Sequence, residues 1–194
     1  MNSNRPEHCQ RRRPRYAAGP RRERGFSVTE LIATVLIAGV LAAAAIPSFT
    51  NAIKNNRIST ASNLLWQDMA LARSEAVKRG IDVTIAAVPG AGANSWTAGW
   101  TVFVDDDEDG VVDNDEEVIR VGKALSDTQT LVAVDSDGPA ANVTFIRYRS
   151  TGTLNTALVA PFDFTLCDNR TEETGRNLSV LGLGRTTITE VTCG

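Results

Sequence analysis

A continuous apolar run, Phe26–Ile46, is the feature that most constrains this chain of 194 residues. The run holds 21 residues and a single charge, Glu30, and about 20 apolar residues suffice for a helix that spans a bilayer. A carboxylate at membrane depth is costly unless a partner neutralises it, so an acidic residue there is a candidate functional residue. The run therefore predicts a membrane helix and leaves the partner of Glu30 to be found.

The segment before the run is polar and strongly basic. Residues 1–25 contain eight Arg and two Glu, whereas the rest of the chain contains twelve basic and twenty-one acidic residues, a net charge of −9. The segment lacks apolar periodicity, so no fold is assigned to it. Its positive charge favours the cytoplasmic side of a membrane. We interpret residues 1–25 as a leader that is removed by processing.

The apolar run has two ordinary interpretations. It is typical of a secretory signal peptide, because small residues at positions 42–45 offer a cleavage site that would release a soluble domain beginning near Ile46. It is also typical of a plain signal anchor, in which Glu30 lies close enough to the interface to reach water. Neither interpretation explains the junction Gly25-Phe26.

The residues around that junction resemble a known processing signal. The stretch RGFSVTELI, which begins at Arg24, is similar to the class III signal of type IV pilins and type II secretion pseudopilins. The resemblance implies that a prepilin peptidase cuts after Gly25 and methylates Phe26, which makes Glu30 the fifth residue of the mature protein. It also implies that Glu30 meets the N-terminal amine of a neighbouring subunit, a pairing that relieves the cost of burying both charges.

The same resemblance implies partners and a location. The expected partners are other pilins or pseudopilins, the prepilin peptidase and an inner-membrane assembly platform. The expected protein crosses the bacterial inner membrane once, keeps its C-terminal domain in the periplasm and then enters a fibre or pilus. Pro47 lies where such pilins also carry a helix proline, and its missing N–H and its ring predict a kink there.

Beyond Pro47 the pattern becomes amphipathic. Apolar residues recur at steps of three or four, namely Ile58, Ala61, Leu65, Met69, Ala72 and Ala76, which is typical of a helix with one buried face. We predict one helix over residues 26–79, with a membrane half at 26–46 and an amphipathic half at 47–79, ended by Gly80.

Residues 80–194 contain eight short β-branched runs separated by Gly, Asp, Asn and Pro, a spacing that suits a meander of antiparallel strands. A long N-terminal helix packed on an antiparallel sheet is an α+β fold. The tryptophans, Trp66, Trp96 and Trp100, are predicted to be core or strand residues, and a ligand-binding surface is the alternative.

Three cysteines are present, Cys9 in the leader and Cys167 and Cys193 in the C-terminal part. Without the leader, an exported domain keeps an even pair, which indicates a disulfide; two reduced thiols in a cytosolic protein are the alternative. The stretch from Cys167 to Cys193, with Gly-Arg pairs inside it, also resembles the closing segment of the GspH/FimT subfamily. This resemblance implies a non-enzymatic role for the protein.

Catalytic chemistry finds little support in the sequence. The only histidine is His8, in the leader, so a mature chain beginning at Phe26 contains none. With both remaining cysteines paired, nucleophile systems built on Cys-His or Ser-His are excluded. A hydrolase that uses carboxylates alone is the alternative, but nothing in the sequence marks a pair of them. We therefore predict that the protein is not an enzyme.

The acidic stretch DDDEDGVVDNDE has the ligand order of a calcium-binding loop. The ligands implied by that spacing are Asp105, Asp107, Asp109, the Val111 carbonyl, Asp113 and Glu116, with Gly110 at the sharp turn. The flanking runs are strand-like rather than helical, so a solvated hairpin turn without a cation is the alternative.

DNA binding is a second functional hypothesis. Some proteins of the FimT branch bind DNA during natural transformation through a Gly-Arg-x-Arg segment, and Gly184-Arg185-Thr186-Thr187 matches it without the second arginine. Arg176 and Arg185 are the candidate contacts if they share a face, whereas pairing with nearby acidic residues would occupy them. The net charge of −9 after the leader opposes the approach of phosphates. The sequence favours a minor pilin or pseudopilin, in either a type II secretion or a type IV pilus system, over a DNA-binding minor pilin.

Overall fold

The structure is a computed structural model that describes residues 25–90, 92, 95–135, 143–155 and 161–194. Its internal contacts divide the chain into two units, one that ends at Ala45 and one formed by Ile46–Gly194. The leader assigned to residues 1–25 lies outside the described residues except for Gly25.

A long helix, α1, spans Val28–Arg79. It begins where the Ser27 carbonyl accepts the backbone N–H of Leu31 at 3.1 Å, which is the first regular helical bond, and the N–H of Glu30 at 3.0 Å. The second bond satisfies one of the free donors of the first helical turn. It ends at Gly80, whose φ of 71° is the left-handed conformation that suits glycine after a helix. The predicted helix is thus confirmed, and α1 continues through Pro47, where the kink stays a prediction.

Eight strands follow α1 within the described residues, one in each predicted β-branched run. They are β1 Val83–Ala87, β2 Trp100–Val104, β3 Val118–Val121, β4 Gln129–Asp135, β5 Phe145–Tyr148, β6 Phe162–Asp168, β7 Thr174–Val180 and β8 Thr186–Thr192. All neighbouring pairs are antiparallel. The α+β class is confirmed, but the strands form two four-stranded sheets, β3-β2-β1-β5 and β4-β6-β7-β8, rather than one meander.

The core lies where both sheets and α1 meet. All six apolar helix positions predicted from the three-four spacing are buried, and they join side chains from both sheets in one cluster. Within it, the rings of Trp96 and Phe164 meet edge to face with centroids 4.9 Å apart, a favoured arrangement for aromatic pairs. The amphipathic pattern of the helix therefore identified the face that packs on the domain.

The three tryptophans have different surroundings. Trp96 and Trp100 are buried, and the indole N–H of Trp96 donates to the Val143 carbonyl at 2.8 Å. Trp66 is 42% exposed, so its prediction as a core residue is wrong. It follows the fully buried Leu65 by one position, which turns it about 100° around the helix, away from the core face.

A buried carboxylate ties α1 to the first sheet. Asp68 accepts the indole N–H of Trp100 on Oδ2 at 2.8 Å and the Nε–H of Arg120 on Oδ1 at 2.7 Å. Both of its oxygens are thereby satisfied, which a buried charge requires. Asp68 therefore links α1 to both β2, which carries Trp100, and β3, which carries Arg120.

The helix–sheet packing predicts a contrast between adjacent leucines. Leu65 is fully buried and Leu64 is 37% exposed. Leu65→Ala is expected to lower the free energy of unfolding by about 2–5 kcal/mol, because it removes core contacts and leaves a cavity. The matched change Leu64→Ala is expected to cost about 1 kcal/mol or less. Denaturation of the full chain in detergent, followed by tryptophan fluorescence, checks this; equal losses would contradict the assigned helix face.

Candidate functional site

The first part of α1 presents an unpacked apolar surface. Its large apolar side chains are exposed, among them Leu31, Ile32, Val35, Leu36, Ile37, Val40 and Leu41. The helix is long and apolar enough to cross a membrane. Exposed apolar surface of this extent marks a site of membrane or protein contact.

Glu30 is the one charge in this surface. It lies in the first turn of α1 and is exposed, a position that the partial positive charge of a helix N-terminus favours for a carboxylate. Among the described residues its side chain makes no hydrogen bond or ion pair. Phe26, the predicted first residue of the mature chain, is 77% exposed just before the helix. Both groups are thus open to contact from outside the chain.

Cys167 and Cys193 form a disulfide, as predicted. Their Cα atoms are 5.9 Å apart, and the bond links the end of β6 to the residue after β8. It crosses β7 at Gly175, where a Cβ atom would lie 2.5 Å from the Cys193 sulfur. A side chain has no room there, which explains the glycine between the two cysteines.

An ion pair beside the disulfide connects the second sheet to α1. Arg170 donates from Nη2 to Asp168 at 2.7 Å and, from the same nitrogen, to Asn55 on α1 at 2.7 Å. The hydrogen bond from Arg170 lowers the pKa of the Asp168 carboxyl from its usual range, against the opposing effect of burial. A lowered carboxyl pKa stabilises the fold above the ordinary pKa near 4, and this contribution is lost as the pH falls through the folded-state value.

The acidic stretch forms the loop between β2 and β3. One carboxylate oxygen from each of Asp105, Asp107 and Asp109 lies within 4.8 Å of the others. Glu116 instead accepts the backbone N–H groups of Asp106 at 3.1 Å and Asp113 at 2.9 Å. Of the predicted carboxylate ligands, the structure therefore brings three together and gives Glu116 a role in closing the loop.

Arg147 is a residue of this region whose role the sequence did not indicate. It is 6% exposed, and it donates to Asp105 at 2.9 Å and to Glu108 at 3.2 Å. Thr84 donates to the same oxygen of Asp105 at 2.8 Å. An arginine within an otherwise apolar strand was the available signal, because a buried arginine requires a carboxylate partner.

The candidate DNA contacts do not form one patch. Arg176 lies on β7 and pairs with Glu190 on β8, near the disulfide end of the sheet. Arg185 is exposed at the opposite end, just before β8, where it lines a shallow groove with Trp66 and Arg73. The predicted pairing with a nearby acid is seen for Arg176, and the DNA hypothesis gains no support from this geometry.

The chain was compared with known proteins. Residues 61–184 match the family model of the type II transport protein GspH. Two crystal structures of the Pseudomonas aeruginosa type IV minor pilin FimU are similar to this chain. The first has TM-score 0.51 and 22% identity over 68% of this chain and 91% of FimU. The second has TM-score 0.53 and 23% identity over 70% of this chain and 90% of FimU. The minor pseudopilin EpsH from the Type 2 Secretion System of Vibrio cholerae gives TM-score 0.49 and 14% identity over 69% of this chain and 96% of EpsH. No curated protein matches.

A long N-terminal helix that packs on antiparallel sheets, as in FimU, defines the class of pilin-like proteins. Because the family model matches more than half of its residues, the chain belongs to the GspH family. The resemblance to minor pilins and pseudopilins of the GspH/FimT type is thereby confirmed. Membership implies assembly with other pilin-like subunits.

The disulfide predicts a redox dependence of stability. The cysteines are separated by 26 residues, and a loop of that length is worth about 3 kcal/mol in the chain-entropy model. A reductant is expected to lower the free energy of unfolding of the wild-type chain by about that amount. The double variant Cys167→Ser/Cys193→Ser is expected to be as unstable as the reduced wild-type chain. Its free energy of unfolding is expected to be the same with and without reductant. Denaturation of both proteins with and without reductant checks this, and an unchanged wild-type midpoint would contradict a stabilising bond.

Proposed function

We propose that the mature chain is a non-enzymatic subunit of a type II secretion or type IV pilus fibre that assembles through its N-terminal helix. The observation that carries the proposal is an exposed apolar helix with one charge, Glu30, that has no partner among the described residues. A carboxylate in such a surface requires an opposite charge from outside the chain once water is excluded. Membership in the GspH family supports the same role.

The partner proposed for Glu30 is the N-terminal amine of the next subunit. Cleavage after Gly25 creates that amine at Phe26, one helical turn before Glu30, so both charges lie at similar depth along the helix. Pairing across two subunits offsets the cost of removing both charges from water. Because each charge has a fixed place on its helix, the pair also sets the axial register of one subunit against the next.

The proposed location is the bacterial inner membrane, with the domain after the membrane segment in the periplasm. The eight arginines of residues 1–25 favour a cytoplasmic leader. The disulfide between Cys167 and Cys193 suits an oxidising compartment such as the periplasm. The prepilin peptidase and an inner-membrane assembly platform are the further partners that this route requires.

The charge of Glu30 is testable apart from its shape. Glu30→Gln preserves the size of the side chain and removes its charge, and Glu30→Val removes both. Both variants are expected to insert into the membrane normally but to enter fibres at least about tenfold less, a loss equivalent to about 1.4 kcal/mol. The measurement is the ratio of the protein in sheared fibres to that in membranes, by immunoblot.

Thr29→Val is the matched control, since it changes the adjacent position of the same turn without altering charge. It is expected to assemble as the wild type does. Wild-type assembly of Glu30→Gln would show that the carboxylate charge does not set the register, and the proposed pairing would be wrong.

The start of the mature chain provides an independent prediction. Intact mass and N-terminal sequencing of the membrane-extracted protein are expected to give a methylated Phe26. A Gly25→Leu variant is expected to keep its leader, because it removes the glycine after which the prepilin peptidase is expected to cut. A mature start near Ile46 would instead identify a conventional signal peptide and overturn the assembly proposal.

A further inference from the structure

The loop between β2 and β3 carries chemistry that fibre assembly does not use. Its twelve residues, Asp105–Glu116, place acidic side chains at the first, third, fifth, ninth and twelfth positions. Calcium prefers oxygen ligands, and this is the order in which compact calcium loops supply them. All twelve residues belong to the described part of the chain, so the sequence pattern can be compared with the positions of the side chains.

Three of these carboxylates converge. The oxygens contributed by Asp105, Asp107 and Asp109 lie within 4.8 Å of one another. Two ligands that are each about 2.4 Å from a calcium ion are at most about 4.8 Å apart, so each pair of these oxygens is within the distance limit for a shared ion. Without a cation, like charges at this separation repel one another.

The buried member of the cluster has an oxygen without a partner. Oδ2 of Asp105 accepts hydrogen bonds from Thr84 and Arg147. Oδ1 is buried and has no hydrogen-bond partner among the described residues, and the side chain as a whole is fully buried. A buried carboxylate oxygen in this state is unfavourable. A cation bound through that one oxygen would satisfy it and leave the contacts of Oδ2 intact.

The exposed members are not neutralised by the protein. Among the described residues no Lys or Arg forms an ion pair with Asp107 or Asp109. Each uses Oδ1 to accept a backbone N–H, from Asp109 at 3.2 Å and from Val111 at 2.7 Å respectively. The charge of Arg147 is shared between Asp105 and Glu108, so two negative charges of the cluster stay uncompensated.

The loop is held in place by its neighbours. Gly110 is buried with φ 76°, and a Cβ atom there would lie 2.3 Å from the ring of Phe145 on β5. The guanidinium of Arg147 lies 5.5 Å from the centre of that same ring. Glu116 closes the loop through two backbone amides. Ligands fixed in this way lose little conformational freedom when an ion binds.

We propose that the β2–β3 loop is a calcium site in which Asp105, Asp107 and Asp109 supply the carboxylate ligands. The Val111 carbonyl occupies the sequence position of the backbone ligand, and water completes the coordination. Glu116 acts as a positioning residue that closes the loop. Calcium fits better than magnesium, because magnesium demands near-ideal octahedral geometry and retains more of its water.

The test is calcium titration of the full chain in detergent by isothermal calorimetry, after removal of metal with a chelator. We expect one saturable site per chain. Asp107→Asn and Asp109→Asn are expected to weaken binding at least tenfold. Asp106→Asn is the matched control: it removes the same charge from the neighbouring exposed residue, which is outside the ligand set, and is expected to change affinity less than threefold.

Several results would overturn the proposal. One is the absence of saturable binding up to about 10 mM calcium, well above the range of weak extracellular modules. Another is an equal loss in Asp106→Asn and Asp107→Asn, which would indicate diffuse attraction to an acidic loop. Displacement of calcium by equimolar magnesium would contradict the assigned metal. Circular dichroism of each variant without calcium verifies that it is folded. If Asp107→Asn does not fold, the comparison is made with Asp109→Asn.

Discussion

Burial of one face of α1 is the constraint on which the rest of the domain depends. The face from Ile58 to Ala76 is built from small and medium apolar residues and contacts both sheets. Neither four-stranded sheet closes on itself, so each has one face that must be covered by another layer. The second part of α1 provides that layer for both sheets at once. The first part of the same helix is apolar and exposed.

Polar contacts fix the position of this shared layer. Asp68 holds Trp100 and Arg120 of the first sheet, and Asn55 accepts from Arg170 beside the second. Apolar packing is largely non-directional, whereas these hydrogen bonds require particular partners. They specify the register in which the helix lies along the two sheets, and the satisfied oxygens of Asp68 keep the cost of burying its charge low.

Features that depend on residues close together in the sequence were predictable, whereas features that depend on distant residues were not. Residue spacing alone predicted the buried helix face and the strands. The cysteine pair was predictable because two cysteines remain once Cys9 is removed with the leader. The division into two sheets was not, since strand pairing joins residues far apart in the sequence. Trp66 was assigned to the core from its residue type alone, although the buried Leu65 next to it already points that position outward. The partner of Arg147 could not be predicted, because Asp105 is 42 residues away in the sequence.

Glu30 and Asp105 show two ways in which one chain handles a costly carboxylate. Asp105 lies in the folded domain, where Arg147 and Thr84 satisfy one of its oxygens and the loop arranges other carboxylates near it. Glu30 lies on a helix surface that provides no such partner within the described residues. The first charge can be stabilised during folding of the single chain, whereas stabilisation of the second in a dry environment must wait for another molecule. A fold that completes its domain internally and leaves Glu30 without a partner among the described residues is therefore suited to the proposed assembly, in which subunits join after they have folded.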